Sequence, residues 1–125
     1  MDAMPSKRPA VPHRRHPCNE CPWRRDTPPG AFPAHRYDQL RGTAGSPGNE
    51  APIGAPLFAC HKSAPGADDA CAGWLAAVGG EHLGVRLAII TGALPASTLS
   101  PGENWPELFG NFDDMAQAQA FDDQA

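Results

Sequence analysis

Pro17-Cys18-Asn19-Glu20-Cys21-Pro22-Trp23-Arg24-Arg25 sets two thiols three positions apart in a turn framed by two prolines. A C-x2-C turn brings its two thiolates to about 3.5–4 Å from each other, the spacing of two ligands on one tetrahedral ion. Pro17 and Pro22 stiffen the turn and each removes an N–H. The N–H groups that remain can point at sulfur and stabilise its anion. Arg24 and Arg25 place positive charge beside the thiols, as does Lys62 further along, and such charge lowers a thiol pKa.

Two more cysteines follow and no fifth: Cys60 after 38 intervening residues and Cys71 after another 10. The expectation is that Cys18, Cys21, Cys60 and Cys71 together hold one metal centre. Four thiolates fill a tetrahedral shell, so the site is a closed, structural one, and zinc is the first choice. A [4Fe–4S] cluster with a redox or sensing role is the alternative. It also takes four cysteines, Cys-Pro pairs occur around clusters, and Trp23, Phe58 and Trp74 would shield it from water. His61 adjoins Cys60 and is read as a donor to a cysteine sulfur rather than a ligand, because neighbouring side chains of an extended segment point opposite ways.

Three other readings compete. Four unrelated buried thiols are one. A disulfide framework is another, disfavoured because the start of the chain, Met1 to Arg15, has no apolar signal-like run and a cytoplasmic location is expected. A thioredoxin-like redox pair needs a βαβ context that residues 1–40 do not supply. No catalytic residues are assigned: there is no P-loop, dinucleotide fingerprint or H-E-x-x-H, and Ser63 beside His61 and Lys62 more simply closes a turn.

Outward from the cysteines the chain is rich in punctuation, with 15 Pro and 13 Gly in 125 residues and 7% aromatics. The foldable part is about 80–95 residues, a size at which a core alone is marginal and a staple matters. Pro5, Pro9 and Pro12 make residues 1–16 a disordered basic arm. Residues 33–41 predict a short helix opened by Pro33, with Tyr37 and Leu40 on its inner face. Residues 42–56 are a Gly/Pro-rich flexible loop, and Leu57–Cys60 an extended segment. Asp68 or Asp69 caps a helix ending near Val78, before Gly79 and Gly80. Cys71, Trp74, Leu75 and Val78 then share its inner face. Residues 81–91 fit both periods and are read as a helix begun by Glu81 and ended before Pro95. A turn follows near Trp105–Phe109, then a weak helix over residues 112–125. The fold class is thus small and mainly α with irregular loops, a metal-centred domain over residues 17–95 and an acidic extension over residues 96–125.

The combination Cys18-Asn19-Glu20-Cys21-Pro22-Trp23-Arg24, Phe58-Ala59-Cys60-His61-Lys62-Ser63 and Cys71-Ala72-Gly73-Trp74-Leu75 resembles a family of small uncharacterised proteins of bacteria and their phages. Their shared pattern is C-x2-C-P-[W/F]-R, then F-x-C-H-K-[S/T], then C-A-G, over about residues 17–95. The resemblance supplies no activity. It implies that Arg24, His61, Lys62 and Gly73 belong with the four cysteines, and Trp23 and Trp74 stand beside them.

Charge is uneven. Residues 1–25 carry six Lys and Arg against two acids, whereas the last 25 residues carry six acids and no Lys or Arg. A solvated basic arm and a solvated acidic end explain this; a nucleic-acid or acidic protein partner for the arm is the sharper reading. No aromatic residue precedes Trp23, so base stacking by the arm itself is unsupported. Leu83 to Leu94, the longest mainly apolar run, is too short for a bilayer and contains Arg86.

Overall fold

The computed structural model describes residues 10–30, 34–60 and 68–119. Among the described residues four short α-helices carry the fold: α1, Ala34–Leu40; α2, Ala72–Val78; α3, Leu83–Ile90; and α4, Phe112–Gln119. Turns of 3-10 helix at Arg41–Thr43, Gly79–Glu81 and Ala96–Leu99 extend or link them. Among the described residues there are no strands, only isolated β-bridges, and no helix is long and apolar enough to cross a membrane.

The bridges do the long-range joining. Residues 69–71 run extended between two other segments. On one side Ala70 N–H donates to Pro12 O at 2.9 Å and Arg14 N–H to Ala70 O at 2.9 Å. On the other, Cys60 N–H donates to Asp69 O at 2.7 Å and Cys71 N–H to Phe58 O at 2.8 Å. A second small pairing sets residues 23–25 antiparallel to 107–109, with Phe109 N–H on Trp23 O and Arg25 N–H on Glu107 O, both at 2.9 Å. Each buried N–H and C=O so paired escapes the cost of lying unsatisfied away from water. Of the arm expected over residues 1–16, residues 1–9 lie outside the described residues. From Val11, whose N–H donates to Ala93 O at 2.8 Å, the chain is tied into the body.

This ladder moves the start of α2. The expected cap at Asp68 or Asp69 is replaced by Cys71, because hydrogen bonds hold residues 69–71 extended. Cys71 keeps φ −69°, ψ 126°, and its sulfur accepts Trp74 N–H at 3.5 Å. Helix α3 starts at Leu83, two residues after Glu81, through a similar device. The buried His82 ring accepts Val85 N–H at Nδ1 (3.2 Å), so Nε2 carries the proton and donates to Ala55 O and Pro56 O at 3.1 and 3.2 Å. A cap that satisfies a first-turn N–H decides the helix over the strand alternation of Leu83, Val85, Leu87 and Ile89. The loop over residues 42–56 is largely exposed but packs tightly at Gly45. A Cβ on Gly45 would lie 2.4 Å from Ala51 N and 2.7 Å from Glu81 O.

The core gathers on the cysteine turn. Trp23 and Trp74 are wholly buried, with Tyr37, Leu75 and Met115 close behind. Trp23 meets Phe58 and Phe112 edge-on, ring centroids 5.9 and 6.1 Å apart. Phe112, Met115, Ala116 and Gln119 form the buried face of α4 at helical spacing. Asn111 Oδ1 caps that helix by accepting Asp114 N–H at 2.7 Å. Gln119 Nε2 at its far end donates to Pro22 O and Arg24 O at 2.9 and 3.1 Å, clamping α4 onto the cysteine turn.

Candidate metal centre

Cys18 and Cys21 stand in a tight turn closed by Cys21 N–H on Cys18 O at 3.1 Å and Arg24 N–H on Cys21 O at 3.1 Å. Two polar side chains lock it. Thr27 Oγ1 donates to Cys21 O at 2.6 Å, and Arg24 Nη1 to Cys18 O at 3.2 Å. The Arg24 guanidinium is itself held by Asp26 through two hydrogen bonds of 2.8 Å. That pairing raises the Arg24 pKa and lowers that of Asp26. Neither Thr27 nor Asp26 is marked by the cysteine spacing; the signal for them is only that both follow the turn directly.

Cys71 arrives opposite this turn on the first residue before α2, and its sulfur lies 3.5 Å from that of Cys21. Accepting a hydrogen bond from Cys71 lowers the Cys21 pKa, helped by the backbone N–H groups of Trp23 and Arg24. Donating that hydrogen bond, then burial, pushes Cys71 well above the ordinary thiol value. Cys60, from the neighbouring extended segment, shares a hydrogen bond with Cys18. Burial raises the Cys18 pKa, and the nearby Cys60 and Cys21 sulfurs add to the effect, against the Glu20 N–H. No disulfide joins the four. The sulfurs stand as two pairs, Cys21 with Cys71 and Cys18 with Cys60, linked through the turn. Among the described residues, no three Cys, His, Asp or Glu side chains are grouped so as to hold a metal ion.

The donor chemistry fits a metal thiolate. Five backbone N–H groups, those of Glu20, Trp23, Arg24, Gly73 and Trp74, point at the sulfurs of Cys18, Cys21 and Cys71 and favour their anions, against the burial that raises the Cys18 and Cys71 pKa values. Gly73 explains how α2 comes so near: a Cβ there would lie 2.9 Å from Cys21 Sγ and 2.9 Å from Trp23 Cβ. Gly73→Ala is therefore expected to displace the Cys21 sulfur or tilt α2. A loss of about 1–3 kcal/mol in denaturant melts checks this.

Trp74 lies in the first turn of α2 with its Nε1 donating to Thr43 O at 3.1 Å, joining the cysteine helix to the 3-10 turn that follows α1. His61 and Lys62 lie outside the described residues. Arg25 lies with its guanidinium 4.7 Å over the Phe109 ring.

No curated protein and no solved structure matches the chain. A family model does, over residues 13–125, reaching well past residue 95, where the resemblance built on the cysteine motifs ends. With that span matched, the chain belongs to DUF6283, a family of unknown function.

Proposed function

We propose that Cys18, Cys21, Cys60 and Cys71 bind one zinc ion in a closed structural site, and that the protein is a metal-fastened interaction module. The observation that carries this is the approach of Cys21 and Cys71 sulfurs to 3.5 Å across fifty residues of chain, with Cys60 brought to Cys18 beside them. Zinc–sulfur bonds of about 2.3 Å put ligand sulfurs roughly 3.8 Å apart. Ligand sulfurs on a cubane cluster spread to roughly 6 Å or more, so the close pair favours a single ion over a [4Fe–4S] cluster.

A shell of four thiolates leaves no open position for water, which suits a structural rather than a hydrolytic role. The ion would fasten three pieces distant in sequence: the Cys18–Cys21 turn, the ladder segment at Cys60 and the start of α2. Thiolate ligands call for a reducing compartment such as the cytoplasm. The firmly held surface around the turn, with its Arg residues, then serves a nucleic-acid or acidic protein partner.

Anaerobic purification followed by metal analysis and a visible spectrum tests the reading. The expected result is a colourless protein with about one zinc per chain that loses its cooperative thermal transition in a strong chelator. A brown protein absorbing near 400 nm transfers the site to the cluster alternative. Metal-free protein that melts identically with and without chelator removes both.

A further inference from the structure

The molecule holds a second feature that the cysteine centre does not use. The segment at His13, Arg14 and Arg15, the 3-10 turn at Ser97 and Thr98, and Trp105 together line a cleft of about 350 Å3. Leu75 of α2 supplies part of its apolar floor. The volume falls at the lower end of small-ligand sites, roughly 300–1,000 Å3. Among the described residues no carboxylate lines it, in a chain whose net charge is −4.

We propose that this cleft binds one nucleotide unit, with the phosphate on Arg14 and Arg15 and the base against Trp105.

The chemistry is assembled from three distant stretches. Arg14 lines the cleft, and its guanidinium Nε lies 3.7 Å from Asp69 Oδ2, outside the lining. Arg15 is exposed, and within the described residues no hydrogen bond or ion pair engages its side chain. A guanidinium fork matches two oxygens of a phosphate, and flanking hydroxyls add weaker hydrogen bonds. The Ser97 hydroxyl is exposed, and Thr98 Oγ1, which donates to Pro95 O at 2.8 Å, keeps its lone pairs.

Trp105 is the partly exposed member of the three tryptophans, Trp23 and Trp74 being wholly buried. The His16 ring meets it edge-on, centroids 5.5 Å apart, which steadies the indole. Its Nδ1 donates to Pro17 O at 2.7 Å. Stacking on such a platform is worth about 1–3 kcal/mol per base and tolerates every base. An acidic peptide would satisfy the arginines and leave the indole idle; a nucleotide uses both. The aromatic partner that the basic segment lacks in sequence is thus supplied in space. This deepens the partner half of the reading above and does not depend on which metal the cysteines bind.

Tryptophan fluorescence of the full chain provides the test, since only Trp105 is reachable by a quencher of this kind. The probes are AMP, a short oligothymidylate, adenosine, inorganic phosphate and an oligoglutamate peptide, each titrated at low salt. AMP or the oligothymidylate is expected to quench below about 1 mM, with adenosine and phosphate at least about tenfold weaker. Equal affinity for both assigns the site to free nucleotides; tighter binding of the oligomer alone assigns it to single strands. Arg15→Ala should weaken binding about tenfold and flatten its salt dependence. Trp105→Leu should remove the quench. Absence of quenching by both nucleotide probes overturns the proposal. So does unchanged binding by Arg15→Ala, or equal binding of oligoglutamate. Metal content and melting temperature of Arg15→Ala should equal those of the parent. If the parent binds AMP but no metal, the metal reading fails and this one stands.

Discussion

Cys71→Ser is expected to abolish metal binding and to cost on the order of 3–5 kcal/mol, enough to leave a chain of this size largely unfolded at growth temperature. Serine is chosen because it separates two roles of the sulfur. Cys71 caps α2 by accepting Trp74 N–H at 3.5 Å. Serine is among the best helix caps, so if capping were the whole role the change would be neutral or stabilising. As a zinc ligand a serine hydroxyl is a poor substitute for a thiolate, so the loss reports on the metal. Metal analysis beside a urea melt reads both. Retained zinc with a midpoint close to the parent's would sink the metal centre. Acid should reproduce the loss in the parent, since proton and metal compete for each sulfur. In the metal-free protein the Cys21 and Cys71 sulfurs lie within hydrogen-bond reach at 3.5 Å, and binding must displace the proton between them.

Trp23→Ala is the second large effect, expected to cost about 3–5 kcal/mol whether or not metal is bound. Trp23 is wholly buried, touches Phe58 and Phe112 edge-on and sits against the bare Cα of Gly73. Removing the indole opens a cavity where the cysteine turn, α2 and α4 meet. A paired control sharpens the reading. Among the described residues the buried Trp23 indole N–H has no hydrogen-bond partner, whereas that of Trp74 donates to Thr43 O at 3.1 Å. Trp23→Phe thus removes an unsatisfied donor along with some volume, while Trp74→Phe leaves a buried carbonyl unpaired. Trp23→Phe should be the milder of the two by about 1–2 kcal/mol. The reverse order in denaturant melts would show that packing outweighs the polar difference.

Both effects meet at a point where local pattern and global contact agree in the amino-acid sequence. Cys71, Trp74, Leu75 and Val78 recur at helical spacing, and in the structure all four are buried on α2. Phe112 and Met115 mark the face of α4 in the same way. Where two signals conflicted, context outside the segment settled them. Asp68 and Asp69 are good caps by composition, yet the helix waits until Cys71 because ladder hydrogen bonds hold the residues before it extended. The α3 segment carries a strand-like alternation, yet His82 caps it as a helix because loop carbonyls at Ala55 and Pro56 hold the ring in place.

What the residues alone determined here is chemistry and periodicity: the thiol spacing, the prolines that shape the turn, the apolar faces of α2 and α4, and the uneven charge. Each depends on neighbours within a few positions, where backbone geometry leaves little choice. Tertiary structure decided which distant pieces meet: Cys71 across from Cys21, Cys60 beside Cys18, the 10–16 segment paired with Ala70 and Ala93, and Trp105 beside His16. Such meetings are selected by the free energy of the whole packed chain, because every contact between remote segments must offset the entropy of closing the loop between them.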